Sequence, residues 1–269
     1  MTLVLIPVQA VLKVLPGRGK RCLPFLYHRL LTRILGIGLT FTGSRPAEGP
    51  VLIVSNHQSW LDIPSLSTLA PLSFISKSEV SSWPFFGTLA RLQRTVFIER
   101  ADRRGVDRQN SKITDRLSTQ DRLVLFAEGT SSDGNRVLPF KTALFASAQA
   151  SKGEEPWVQA ASIAYTRVHG IPMGRQFRPY AAWYGDMNLL SHLWAVVRLG
   201  PLDCAIHLHT PVQLSDFSGR KALAAHIHDE IVTTHRRLLQ GLDPDVTEGG
   251  EPLDSAPMTA TLPAVEVRT

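Results

Sequence analysis

The chain has 269 residues, 43% of them hydrophobic and 19% charged, which suits one folded domain with small appendages and excludes a wholly disordered chain. Two cysteines, Cys22 and Cys204, in neither C-x-x-C nor zinc spacing, exclude a disulfide framework and point to a reducing compartment. The net charge of +6 is local: seven basic residues and no acidic one precede Glu48, leaving 22 basic against 23 acidic from there on. A basic excess confined to an oily N-terminus fits anionic lipid headgroups; a nucleic-acid partner, which asks for a basic face across the fold, is not expected.

Residues Thr2 to Leu15 are apolar apart from Gln9 and Lys13 and are interrupted by Pro7. They fall short of the roughly 20 residues that a spanning helix needs. Their positive charges (Arg18, Lys20, Arg21) follow the apolar stretch, whereas a signal peptide carries them ahead of it. From Phe25 to Ile37, helical spacing puts Phe25, Leu26, Leu30, Leu31, Ile34 and Leu35 on one side, with Arg29 and Arg33 on another. This predicts an amphipathic helix that either lies in a membrane interface or docks on the protein's own core.

Val51 to Val54 is a short, wholly apolar run between Gly49-Pro50 and Ser55-Asn56, the pattern of a buried parallel strand. Strands are also predicted at 95–98, 123–126, 162–165 and 205–208, and helices at about 65–70, 108–117, 141–150 and 221–239. This alternation predicts an α/β fold with a mainly parallel sheet flanked by helices. From Gly241 to Thr269 there are four prolines and six acids against one arginine, so a disordered acidic tail is expected.

The strand at 51–54 leads into Ser55-Asn56-His57-Gln58-Ser59-Trp60-Leu61-Asp62-Ile63-Pro64. Residues five apart on a continuous helix point ~140° apart, so His57 and Asp62 meet only if the chain turns between them. Pro64 favours a helix start near 63 or 64, which leaves His57 in the loop after the strand and Asp62 at the helix entrance. Ligands of open α/β sheets bind at such loops. The pair reads either as a general base with its orienting carboxylate or as a helix cap beside a surface histidine.

Two later segments bear on that choice. Phe97-Ile98-Glu99-Arg100 closes one predicted strand, and Phe126-Ala127-Glu128-Gly129-Thr130 closes another and opens a turn of small polar residues, Thr130 to Asn135. Gly129 permits close backbone approach, and the turn's hydroxyls and N–H groups suit an anion. No Walker lysine, nucleophile elbow or metal-ligand set is evident. His207 and His209 lack a carboxylate or cysteine partner in sequence, so metal is not expected.

Asn56-His57 with Asp62, then Phe97 to Arg100, then Phe126 to Thr130, resembles the ordered motifs of the glycerolipid acyltransferases, the family of 1-acylglycerol-3-phosphate acyltransferases. The resemblance implies an α/β fold, His57 as base and Asp62 as its partner. Arg100, Glu128, Gly129, Thr130 and Lys141 are implied to bind substrate. It further implies acyl carrier protein or coenzyme A thioester as co-substrate, with no bound cofactor, and a lysolipid hydroxyl as acceptor.

Ala127 and Ser131 stand where the third motif usually has proline and arginine, and Val158 to Ser162 lacks the proline of the fourth. With Ser76 to Val80, Trp83-Pro84, Leu92 to Thr95 and Tyr184 to Met187, these departures resemble the lyso-ornithine lipid branch. A phosphatidate-forming enzyme is the alternative; a lipid ester hydrolase and a non-enzymatic lipid-binding protein are rivals from other classes. The expected organisation is a membrane-interface segment at 1–45, an α/β acyltransferase domain at 46–240 and the tail at 241–269. The expected location is the cytoplasmic face of the inner membrane.

Overall fold

The computed structural model describes residues 1–99, 106–119, 121–149 and 155–245. Arg100 and the predicted tail beyond 245 lie outside the described residues. Two helices, α1 (Thr2–Val14) and α2 (Gly19–Ile34), open the chain. They are followed by β1 (Ile37–Gly43), β2 (Val51–Ser55), α3 (Asp62–Leu66), β3 (Ser73–Lys77), α4 (Phe86–Leu92), β4 (Val96–Ile98), α5 (Val106–Ser118) and β5 (Arg122–Phe126). The remainder forms β6 (Trp157–Val168), the short β7 (Ile171–Pro172), α6 (Leu189–Leu199), β8 (Leu202–Leu208) and α7 (Arg220–Gln240).

One eight-stranded sheet runs β1-β8-β6-β2-β5-β3-β4, with β7 paired to β6. Strands β6, β2, β5, β3 and β4 are mutually parallel. The β1–β8 pair is parallel within itself but antiparallel to β6, so the predicted strand at 205–208 belongs to the reversed edge. Central β2 is buried on both faces along its length, which is why Val51 to Ser55 shows no alternation.

Alternate residues of the strands feed two cores. Val51, Ile53, Val124, Phe126 and Ile163 pack with Leu61, just before α3, Leu66 of α3 and Val196 of α6. Leu52, Val54, Leu123, Leu125 and Val158 pack on the other face with Leu223, Ile227 and Ile231 of α7. Helix α7 ends at Gly241, whose φ of +71° only glycine takes without strain.

Several elements differ from expectation. The predicted helix at 65–70 is the short α3, and the one at 141–150 is a 3-10 helix over Thr142–Gln149. Helices α4 and α6 and strands β1 and β3 were not predicted. The apolar residues of α2 do not share one side. Leu26, Leu30 and Ile34 are exposed, whereas Leu31 and Leu35 turn inward with Leu23 and Tyr27.

The helical pair is tied to the α/β unit by polar contacts at its turn. Gln9 donates to the carbonyls of Lys20 and Leu92 at 3.0 Å each, and Lys13 donates to the carbonyl of Arg91 at 2.9 Å. The buried carboxylate of Asp121 accepts from Arg21, Arg94 and Arg116, each at 2.6 Å. Asp121 precedes β5, so this anchor sits at the opposite end of the sheet from the loop after β2. No helix of the described residues is long and apolar enough to cross a membrane.

Candidate active site

The loop after β2 is built by side chains that replace backbone pairing. Asn56 donates to the carbonyl of Ile163 and accepts from its N–H, both at 2.9 Å, extending the β2–β6 ladder by one amide. Gln58 adds a 3.1 Å bond to the same carbonyl. Beyond them the chain turns, and Asp62 opens α3 with its carboxylate directed back into the loop.

Asp62 is fully buried and receives four donors. Its Oδ2 accepts from His57 Nδ1 at 2.8 Å, Gln58 N at 2.8 Å and Ser59 N at 2.9 Å. Its Oδ1 accepts from the Tyr165 hydroxyl at 3.1 Å. A carboxylate only accepts, so the proton on His57 resides on Nδ1 and the lone pair on Nε2. The ring stacks on Phe126 with centroids 3.9 Å apart and planes 16° apart.

Glu128 completes the support. Its Oε1 accepts from the N–H of His57 at 2.7 Å and its Oε2 from that of Leu138 at 2.8 Å. Both oxygens are thus engaged by the chain itself, and the side chain is buried. Glu128 therefore positions the histidine loop. Both of these bonds are to backbone N–H groups of the chain, and the substrate-binding role that the motif implies for Glu128 stays a proposal. Burial raises its carboxyl to about 8, against the two N–H bonds that favour the charged form.

The remaining expected residues separate by location. Gly129 is buried and takes a φ of +75°, which the sharp turn after β5 requires; Thr130 beside it is exposed. Lys141 bonds through its backbone N–H to the carbonyl of Ala127 at 2.9 Å, while its side chain is exposed and is not among those lining the cleft. The turn is held to the histidine by the Ser132 N–H, which donates to the carbonyl of His57 at 2.9 Å.

His57 lines an apolar cleft of about 430 Å³ between the helical pair and the sheet. Leu5 and Ile6 of α1, Leu31 of α2 and Leu35 just past it form one wall; Ile63, Phe74, Trp83 and Leu89 form the other. Trp60, beside the histidine, is fixed by a 3.0 Å bond from its indole N–H to His192 Nδ1. The backbone N–H of Trp183 donates to the carbonyl of Gln58 at 2.8 Å. A base with a fixed tautomer on the wall of an apolar cleft can deprotonate a hydroxyl whose partner carries a long aliphatic chain.

Sequence reasoning missed Tyr165, Phe126 as the floor under His57, and the helical pair as a wall of the cleft. Tyr165 carried a readable signal: a phenol inside a buried strand must find a polar partner. Among the described residues no group of His, Cys, Asp and Glu side chains suits a metal ion.

A family model described as Acyltransferase matches residues 38–175. A lyso-ornithine lipid O-acyltransferase of Brucella abortus (strain 2308) is 48% identical over 244 residues, covering 89% of this chain and 90% of that protein. Another of that description, from Rhizobium meliloti (strain 1021), is 38% identical over 268 residues, covering 98% and 91%. The crystal structure of a 1-acyl-sn-glycerophosphate acyltransferase from Thermotoga maritima aligns with a TM-score of 0.61, covering 89% of this chain and 90% of that one. At 21% identity that likeness speaks to the fold.

Proposed function

The chain belongs to the acyltransferase family, and we propose that it moves an acyl chain from a thioester onto the free hydroxyl of lyso-ornithine lipid. The observation that carries this reading is the His57–Asp62 pair on the wall of the apolar cleft. Support for the acceptor comes from the two relatives named above and from Ser131, which stands where an arginine would grip a phosphate.

In the proposed reaction His57 Nε2 takes the proton of the acceptor hydroxyl as its oxygen attacks the thioester carbonyl. Asp62 stabilises the imidazolium that forms, and N–H groups of nearby loops stabilise the oxyanion. The carbon–sulfur bond then breaks, and the imidazolium returns the proton to the departing thiolate. Acyl carrier protein or coenzyme A supplies the thioester, and no acyl-enzyme is needed. The acyl chain occupies the cleft, away from water. Glu128, Gly129, Thr130, Lys141 and Arg100 are proposed on the acceptor side, through the family motifs they match.

We further propose that α1 and α2 lie on the cytoplasmic face of the inner membrane, with the exposed Leu26, Leu30 and Ile34 toward lipid. The test of function uses purified protein, acyl carrier protein thioester, and lysophosphatidate beside lyso-ornithine lipid as competing acceptors. Diacyl ornithine lipid is the expected product. Preference for lysophosphatidate overturns the acceptor, and release of free fatty acid without diacyl product overturns transfer.

A further inference from the structure

Helix α6 carries an apolar stripe that the fold leaves uncovered. Leu190, Trp194 and Val197 are 67%, 61% and 47% exposed, and their spacing puts them on one side of the helix. The adjoining side is used: Val196 is buried in the core, and Leu189 and Leu193 line the cleft. The helix is well formed, since the side chain of Asn188 caps it by accepting from the N–H groups of Leu190 and Ser191 at 3.1 Å each.

The position of α6 matters as much as its composition. Leu189 and Leu193 border the same cleft as Leu31 and Leu35, so α2 and α6 flank it together. Just past the two helices the chain is joined directly, the Leu202 N–H donating to the carbonyl of Gly36 at 3.1 Å. The outward stripes of α2 (Leu26, Leu30, Ile34) and α6 therefore belong to helices on either side of the cleft.

We propose that α6 is a third membrane-seating element, whose Leu190–Trp194–Val197 stripe enters the interface of an anionic bilayer alongside α2. The proposal rests on the membrane reading of α1 and α2 given above and extends it to a helix some 150 residues further along the chain, between Asn188 and Gly200. Charge selects a bilayer over a second copy of the chain as occupant. Helices α1, α2 and α6 hold no aspartate or glutamate, and four of their six cations (Lys20, Arg29, Arg33 and Arg198) are not side-chain partners in the anchor that engages Lys13 and Arg21, so two such faces would repel each other. Trp194 is the residue type favoured at the lipid–water boundary. At 11 residues α6 rises only about 16 Å, so it lies in the plane of the interface rather than across it.

The consequence is a docked orientation. With the helices on both sides of the cleft touching lipid, an aliphatic chain passes between bilayer and cleft without crossing water.

Co-sedimentation of the full-length protein with vesicles tests this. Vesicles of phosphatidylcholine, alone and mixed with phosphatidylglycerol, are compared for the wild type, Trp194→Ser, and Leu242→Ser, an exposed apolar residue just past α7. Trp194→Ser is expected to weaken binding to the mixed vesicles by roughly tenfold, with Leu242→Ser unchanged. Transfer to lysolipid in detergent micelles is expected to be equal in all three. Wild-type vesicle binding by Trp194→Ser overturns the proposal. So does a wild-type dimer that Trp194→Ser converts to monomer, since a second copy then covers the stripe. Failure of the wild type to acylate lyso-ornithine lipid in micelles strikes at the acceptor reading alone, because vesicle binding is read independently.

Discussion

The two faces of the sheet bury similar apolar layers yet turn different chemistry outward. On one face α7 covers the strands with Leu223, Ile227 and Ile231, and presents Asp229 and basic residues such as Arg236 to water. On the other, α6 and the α1–α2 pair stand over the cleft, and their outward residues include Leu26, Leu30, Ile34, Leu190 and Trp194. A helix whose outer side is polar is finished once it has docked; one that is apolar on both sides still has a surface to cover. The histidine opens on the unfinished face, which is where a lipid-modifying enzyme needs its substrates to arrive.

Removing the base gives the largest effect on the cleft face. His57→Ala is expected to lower acyl transfer by about 10² to 10⁴, measured by thioester consumption, while the protein remains folded by calorimetry with a midpoint lowered by the loss of one donor to the buried Asp62. An unchanged rate would move catalysis away from this loop. The same substitution logic on the opposite face gives the converse result. Leu223→Ala, at a fully buried position of α7, is expected to cost about 2 to 5 kcal/mol in denaturant unfolding. Leu30→Ser on α2 is expected to leave that stability within about 0.5 kcal/mol and to weaken vesicle binding instead. Equal destabilisation by both would erase the distinction between the faces.

The part of this contrast that could be read from the sequence is the part set by local pattern. Val51 to Val54 announces a two-sided buried strand because no residue in it tolerates water, and Pro64 fixes where α3 can begin, which places Asp62 opposite His57. Helix α7 is similarly legible from its 3.6 period. Helix α6 was not, because only Ser191, His192 and Arg198 interrupt an otherwise apolar Leu189 to Leu199, too little polarity to mark which apolar residues face outward. The stripes of α2 were merged into one for the same reason: Leu30 and Leu31 are neighbours in sequence but face outward and into the cleft respectively. Glu128 matched a motif, but its bonds to the N–H groups of His57 and Leu138 appear only once the chain is folded.

Acid strains both faces through buried histidines. Burial pushes His28 of α2 and His235 of α7 down to about 4, and His209 beyond β8 to about 3, with nearby His207 and His226 adding to the last. A histidine held neutral in the native state and free to charge when unfolded contributes stability that is complete above pH 6.5. That stability is lost as pH falls through the folded value. The unfolding midpoint is therefore expected to fall from about pH 6.5 toward 4, each such group adding at most about 1.4 kcal/mol per pH unit. His235→Gln is expected to flatten that slope; an identical slope would show that His235 is not kept neutral. Glu128 has the opposite sign. Its raised folded value of about 8 means that it contributes stability at low pH, which is lost as pH rises toward 8.

Tyr165 gives the smallest and most discriminating effect. Its hydroxyl holds Asp62 Oδ1, leaving Oδ2 to His57 and the loop N–H groups, so it fixes which carboxylate oxygen faces the base. The residue is 2% exposed and does not line the cleft, so it cannot contribute to substrate binding directly. Tyr165→Phe keeps the ring in the core and leaves one buried carboxylate oxygen without its donor, a loss of about 1 to 2 kcal/mol. If that loss appears in the orientation of His57, kcat falls by about 5- to 30-fold with KM unchanged. A rise in KM at constant kcat would instead mean that Tyr165 shapes the cleft, and a fall in stability without change in either constant would make its bond to Asp62 purely structural.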